Sequence, residues 1–218
     1  MKAILITDKP KWCRLMMNGD KTVEARKGDK LYKATQKLID EYGFAEFYVC
    51  CSKAKHIKDY LQIENGKYVC NVPKDYESEL NGKVAFKFRC YDVEEIYYGG
   101  EYKQFDPSTA CYYTNKLIPN YLKHRTCLDY EELSKYLNGY ERLKGKRGAV
   151  GTAIHISYLE IFDKPKELSE FYKVGAKEEY EHIMSIDETQ AKPYIDEFYK
   201  LTKAPQSFCY VETGEWKE

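Results

Sequence analysis

The sequence predicts an α+β fold: a small mixed β-barrel with flanking helices and a helical extension at its C-terminal end. Three observations carry that expectation. Short stretches of strand character recur at 2–6, 21–26, 44–51, 67–72, 83–96, 149–162 and 207–211. Segments with helical spacing lie between them, at 8–18, 34–42 and 126–137. Beyond residue 163 the chain turns acidic, with helical spacing at 178–184 and 193–200. The expected division is a barrel domain over 1–162 and an acidic, partly helical extension over 163–218 packed on it.

In order, KAILI (2–6) is a short apolar strand. It feeds TDKPKWCRLMMNGDKTVEARKG (7–28), the stretch around which the chain is organised. Asp8 is a good helix N-cap, because its carboxylate can accept from first-turn N–H groups. Pro10 fits that first turn, where a missing N–H costs nothing. Trp12, Leu15 and Met16 fall at i, i+3 and i+4 and make one apolar stripe. Gly19 after Asn18 is a natural left-handed stop. From Lys21 the period becomes two, which puts Thr22, Glu24 and Arg26 on one strand face and Lys21, Val23 and Ala25 on the other. Two readings are open for that polar row: a solvated edge face held by cross-strand ion pairs, or the floor of a binding site.

A helix is expected at 34–42 and a buried strand at 44–51, then a helical turn at 56–61 and a hairpin arm at 67–72. Asn81-Gly82 is a strong turn signal. It leads into one long strand over 83–96, with Val84, Phe86 and Phe88 on one face and Ala85, Lys87 and Arg89 on the other. Residues 99–126 contain Pro107 and Pro119 and many tyrosines, and read as a loop with a short helix. A helix follows at 126–137, capped by Thr126 or Asp129. GYERLKGKRG (139–148) is a basic loop that lacks the spacing of a phosphate-binding loop. A single strand over 149–162 carries His155 and Ser157 and ends at Asp163-Lys164-Pro165.

Composition narrows the function classes. Net charge is zero, yet residues 1–37 hold ten Lys/Arg against four Asp/Glu, and residues 160–218 hold eight against fourteen. The basic end coincides with the polar row and favours a phosphate-bearing ligand. Zero net charge argues against sequence-blind coating of nucleic acid. No apolar run is long enough to span a membrane, and the N-terminus lacks a secretion signal, so a cytoplasmic protein is expected. The eight cysteines show no C-x-x-C pair and read as reduced thiols, with neither a metal nor a cofactor expected.

The segment KPKWCRLMMNGDKTVEARK resembles the opening of ASCH-domain proteins of the PUA-like superfamily: a short helix, a Gly turn, then Lys-Thr-x-Glu-x-Arg. AIHISYLEIFDKPKELSEF (153–171) and APQSFCYVE (204–212) resemble a phage and bacterial branch of that family. Ile154 stands where the branch leads one to expect Trp, so no stacking role is carried over to it. The resemblance implies a PUA-like barrel that binds RNA or a modified nucleoside in a cleft. Lys21, Thr22, Glu24 and Arg26 would floor the cleft, with Ser52, His155, Gln206 and Tyr210 around it. The acetylcytidine amidohydrolases of the family carry a nucleophilic Thr where Glu24 stands, so their mechanism is not supported here. A hydrolase or ribonuclease in which Lys21 and Glu24 do acid–base work is the alternative. A further alternative is a phage or mobile-element protein that acts through its acidic C-terminal surface.

Overall fold

The computed structural model describes residues 1–53, 62–65, 67–69, 80–97, 102–106, 111–115, 120–137 and 149–213. The expected turn at 56–61 and basic loop at 139–148 lie outside these residues. The first half runs β1 (Ala3–Asp8), α1 (Pro10–Met17), β2 (Val23–Lys27), α2 (Lys30–Tyr42), β3 (Ala45–Cys51), β4 (Gln62–Glu64), β5 (Lys67–Val69), β6 (Val84–Cys90) and β7 (Val93–Tyr97). The second runs β8 (Tyr102–Asp106), β9 (Cys111–Asn115), α3 (Asn120–Thr126), α4 (Tyr130–Leu137), β10 (Ala149–His155), β11 (Ser157–Lys166), β12 (Phe171–Lys173), α5 (Ala176–Ile186), α6 (Glu188–Phe198) and β13 (Phe208–Thr213). The chain forms two compact units. One comprises Met1–Asn18, Ala45–Arg89 and Tyr158–Glu218; the other comprises Gly19–Phe44 and Cys90–Ser157.

The first unit is built on a six-stranded sheet of order β11-β6-β3-β1-β13-β12. Its centre is β1, parallel to β3 and antiparallel to β13. Ala3, Ile4, Leu5 and Ile6 are all buried, the continuous apolar run of a strand covered on both faces. Leu5, Tyr48, Cys50, Val84, Phe171 and Val211 form one core cluster, and Phe47 stacks on Phe88 at 4.9 Å. Asp8 does not cap α1. It continues β1 opposite Cys51, so Lys9 takes the cap position without a side-chain bond. The buried stripe of α1 is Cys13, Met16 and Met17, one register away from the expected one, and Trp12 and Leu15 are only half-buried. β11 runs through Pro165, contrary to expectation. It is the end strand of the sheet, where a missing N–H is tolerated. The N-terminus of α5 is capped from a distance: the buried Glu212 carboxylate on β13 accepts from the Gly175 and Lys177 amides.

The second unit holds the antiparallel sheet β2-β10-β7. Val23, Ala25, Ala153 and Ile96 pack against Leu122 of α3 and Leu133 and Leu137 of α4. Asp129 rather than Thr126 caps α4, through reciprocal bonds between the Asp129 and Glu132 side chains and backbones. α2 begins at Lys30, earlier than expected, and stops at Gly43 with φ +79°.

Two expected long strands are each divided. The 83–96 stretch breaks at Tyr91-Asp92 into β6 and β7, and the 149–162 stretch breaks at Ile156 into β10 and β11. In both cases the halves enter different sheets. Residues 102–106 and 111–115, expected to be loop, pair as the antiparallel strands β8 and β9. Among the described residues no sheet closes into a barrel, because the larger one has two ends, β11 and β12. The mixed α+β character with helices flanking the sheets is as expected. No helix of the described residues is long and apolar enough to cross a membrane.

Gly151 in β10 admits no side chain: a Cβ there would sit 2.6 Å from Leu137 Cδ2 and 2.9 Å from the Arg26 carbonyl oxygen. Gly151→Ala should therefore cost about 1–3 kcal/mol, read as a lower urea midpoint at unchanged m-value.

Candidate functional site

The polar row becomes a buried charge triad at the start of β2. The strand begins at Val23, so Lys21 precedes it and is not held to the opposite face. Its Nζ donates to Glu24 Oε2 at 3.1 Å and to the Thr126 carbonyl at 3.1 Å. Arg26 Nε lies 2.6 Å from Glu24 Oε1. Side-chain exposure rises outward, from 3% for Lys21 and 5% for Glu24 to 14% for Arg26. Burial alone would raise the Glu24 carboxyl, but the charges and hydrogen bonds of Lys21 and Arg26 outweigh it and hold the group below the ordinary carboxylate range. Thr22 is exposed, and its backbone is tied on both sides: its N–H to the Arg125 carbonyl and its carbonyl to the Ile156 N–H, each at 2.9 Å.

His155 is brought elsewhere. In the β10–β2 register it lies opposite Val23, while Ile154 lies opposite Glu24 and Thr152 opposite Arg26. Cross-strand partners share a face, so His155 leaves the sheet on the side away from Glu24 and Arg26. There its Nε2 is 2.6 Å from Glu94 Oε1 and 3.9 Å from Asp92 Oδ2. Neither carboxylate is singled out by sequence. The usable signal is their i, i+2 spacing, which places both on one strand face. Their meeting with His155, 61 residues beyond Glu94, is a tertiary event.

Ser52, Gln206 and Tyr210 belong to the first unit. The Ser52 amide donates to the Asp8 carbonyl at 2.7 Å, Gln206 is exposed, and Tyr210 pairs with Ile4 in the β1–β13 ladder. The six-stranded sheet also carries an open depression of about 300 Å³ lined by Glu46, Lys87, Arg89, Tyr158 and Glu160. Its cations are matched by carboxylates, Lys87 by Glu46 and Glu160 and Arg89 by Glu46, which makes it an ion-paired sheet face. The described cysteines 13, 50, 51, 90, 127 and 209 are free thiols. Burial pushes those of Cys50 and Cys90 up to about 12, away from the reactive thiolate.

No family model and no curated protein matches the sequence. The chain is similar in structure to an ASCH protein. The solved structure of ASCH from Zymomonas mobilis aligns with a TM-score of 0.45 and 12% identity, over 99% of this chain and 90% of that one. A serine-to-alanine mutant of the Zymomonas mobilis protein aligns at 0.40 and 11%, over 96% and 88%.

Because the Glu24 carboxyl is depressed in the folded chain, its contribution to stability is present above its unfolded value and lost as pH falls through the lower folded one. Below about pH 4.3 unfolding free energy should fall more steeply with acid in the wild type than in Glu24→Gln. Parallel slopes in urea titrations would show that Glu24 is not the ionised centre of the triad.

Proposed function

We propose that this protein binds RNA, or a modified nucleoside or nucleotide, through the Lys21–Glu24–Arg26 triad. The observation that carries the reading is the triad itself: one buried carboxylate held between two cations, with the guanidinium at its more exposed end. A buried ion network is rarely more stabilising than apolar packing of the same volume, so recognition is the better reason for keeping one. The planar fork of Arg26 suits a phosphate or a base edge, and the basic balance of residues 1–37 favours an anionic ligand. The resemblance of the Lys-Thr-x-Glu-x-Arg segment to ASCH domains agrees. The proposal draws on the three-stranded unit alone.

Recognition is favoured over hydrolysis at the same residues. A general base works best with its pKa near the operating pH, and the two cations move Glu24 the other way.

The test is anisotropy titration of short single-stranded RNAs, with a nucleoside panel, against Arg26→Ala, Arg26→Lys and Glu24→Gln. Arg26→Ala should weaken binding roughly ten- to hundredfold, the value of one bidentate contact. Arg26→Lys should recover little of it, because charge without the fork is not equivalent. Glu24→Gln should alter base preference more than overall affinity. Unchanged affinity per folded molecule with a lowered Tm would reduce the triad to a structural ion ladder and sink the proposal.

A further inference from the structure

We propose that Asp92, Glu94 and His155 form a binding site for one divalent transition-metal cation of the Zn²⁺ or Mn²⁺ kind. The site is independent of the triad and lies on the face of the three-stranded sheet opposite Glu24 and Arg26.

The backbone brings three donors to one place. Asp92 immediately precedes β7, Glu94 is two residues on and shares its face, and His155 ends the neighbouring strand β10. Ile154 pairs with Val93, which sets His155 level with Asp92. The His155 amide donates to the Asp92 carbonyl at 3.2 Å, and the buried Cys90 thiol donates to the same carbonyl at 3.0 Å. The scaffold beneath the side chains is therefore held from both strands.

One imidazole nitrogen, Nε2, faces both carboxylates, and one donor atom of each residue lies within 4.8 Å of the other two. It is the sole such group among the described residues. Ligand bonds of about 2.1 Å require donors about 3.0–3.4 Å apart. The observed separations of 2.6 and 3.9 Å from Nε2 straddle that span. Glu94 would open and Asp92 would close by side-chain rotation alone. Side-chain exposures of 37% for Glu94 and 70% for Asp92 leave room for both movements.

The donor set selects the ion. Two carboxylates and a neutral imidazole balance a 2+ charge. The nitrogen ligand favours a first-row transition cation over Mg²⁺ or Ca²⁺, and the absence of thiolate among the three donors disfavours soft ions. Three protein ligands leave coordination positions for water or a ligand oxygen, the arrangement of an open rather than a sealed site. The imidazole distinguishes the group from an ordinary patch of surface acids.

The experiment is titration of the full chain with MnCl₂, ZnCl₂ and MgCl₂, followed by calorimetry, by the loss of the free Mn²⁺ paramagnetic resonance signal, and by Tm. One equivalent of Mn²⁺ or Zn²⁺ should bind, with a rise in Tm, and Mg²⁺ should bind far more weakly. Asp92→Asn should weaken Mn²⁺ binding roughly ten- to hundredfold, and His155→Gln should do at least as much. Asp92 is mostly solvated, so its variant keeps the test open if His155→Gln disturbs folding. No Mn²⁺ or Zn²⁺ binding at millimolar concentration would overturn the proposal, leaving the His155–Glu94 contact as a hydrogen bond. Binding left unchanged by Asp92→Asn would overturn it as well.

Discussion

A carboxylate taken out of water must be met by cations, and in the three-stranded unit Glu24 imposes that requirement. Leaving such a group buried without its partners costs about 3–5 kcal/mol. Lys21 and Arg26 on either side of Glu24 meet the need, and in doing so they organise their surroundings. Lys21 also donates to the last carbonyl of α3, while the Thr22 backbone joins Arg125 on one side and Ile156 on the other. The entry to β2 is thereby tied to a helix about a hundred residues later in the chain and to the turn between β10 and β11. The neighbouring positions Val23 and Ala25 can then face the apolar cluster under α3 and α4.

The six-stranded unit depends on a different constraint, an apolar strand covered on both faces. β1 gains its neighbours from opposite ends of the chain, β3 in parallel and β13 antiparallel. The C-terminal segment is thus part of the sheet's interior, and Glu212 on β13 supplies the acceptor that the N-terminus of α5 lacks locally. Strand continuation also outcompeted a local helix cap. Asp8 has the right chemistry for an N-cap, yet pairing opposite Cys51 satisfies its backbone and carries it into the sheet.

The two faces of the small sheet are chemically distinct. One presents the triad, in which a carboxylate is saturated by cations; the other presents His155 with two carboxylates. Period-two geometry separates Glu24 and Arg26 from Val23 and its cross-strand partner His155, since Glu24 and Val23 are adjacent in sequence and opposite in direction. Two strand pairings, β2 with β10 and β10 with β7, therefore place Glu24 and Arg26 on one face and His155 and Glu94 on the other.

By itself the sequence determined what depends on near neighbours: the helix expected over 8–18 with its glycine stop, the strand character of 2–6 and 44–51, the part at 67–69 of the strand expected over 67–72, the helical spacing at 178–184 and 193–200, and the grouping of Lys21, Glu24 and Arg26, which lie within six residues. It also carried the resemblance to ASCH domains. Only the tertiary structure decided where β6 gives way to β7 and β10 to β11, because an apolar alternation reads the same whether a strand stays in one sheet or crosses to another. The buried stripe of α1 and the passage of β11 through Pro165 were likewise settled by packing or by edge position. The meeting of His155 with Asp92 and Glu94 belongs to the same class: it spans some sixty residues, and only strand register brings such distant side chains within hydrogen-bond reach.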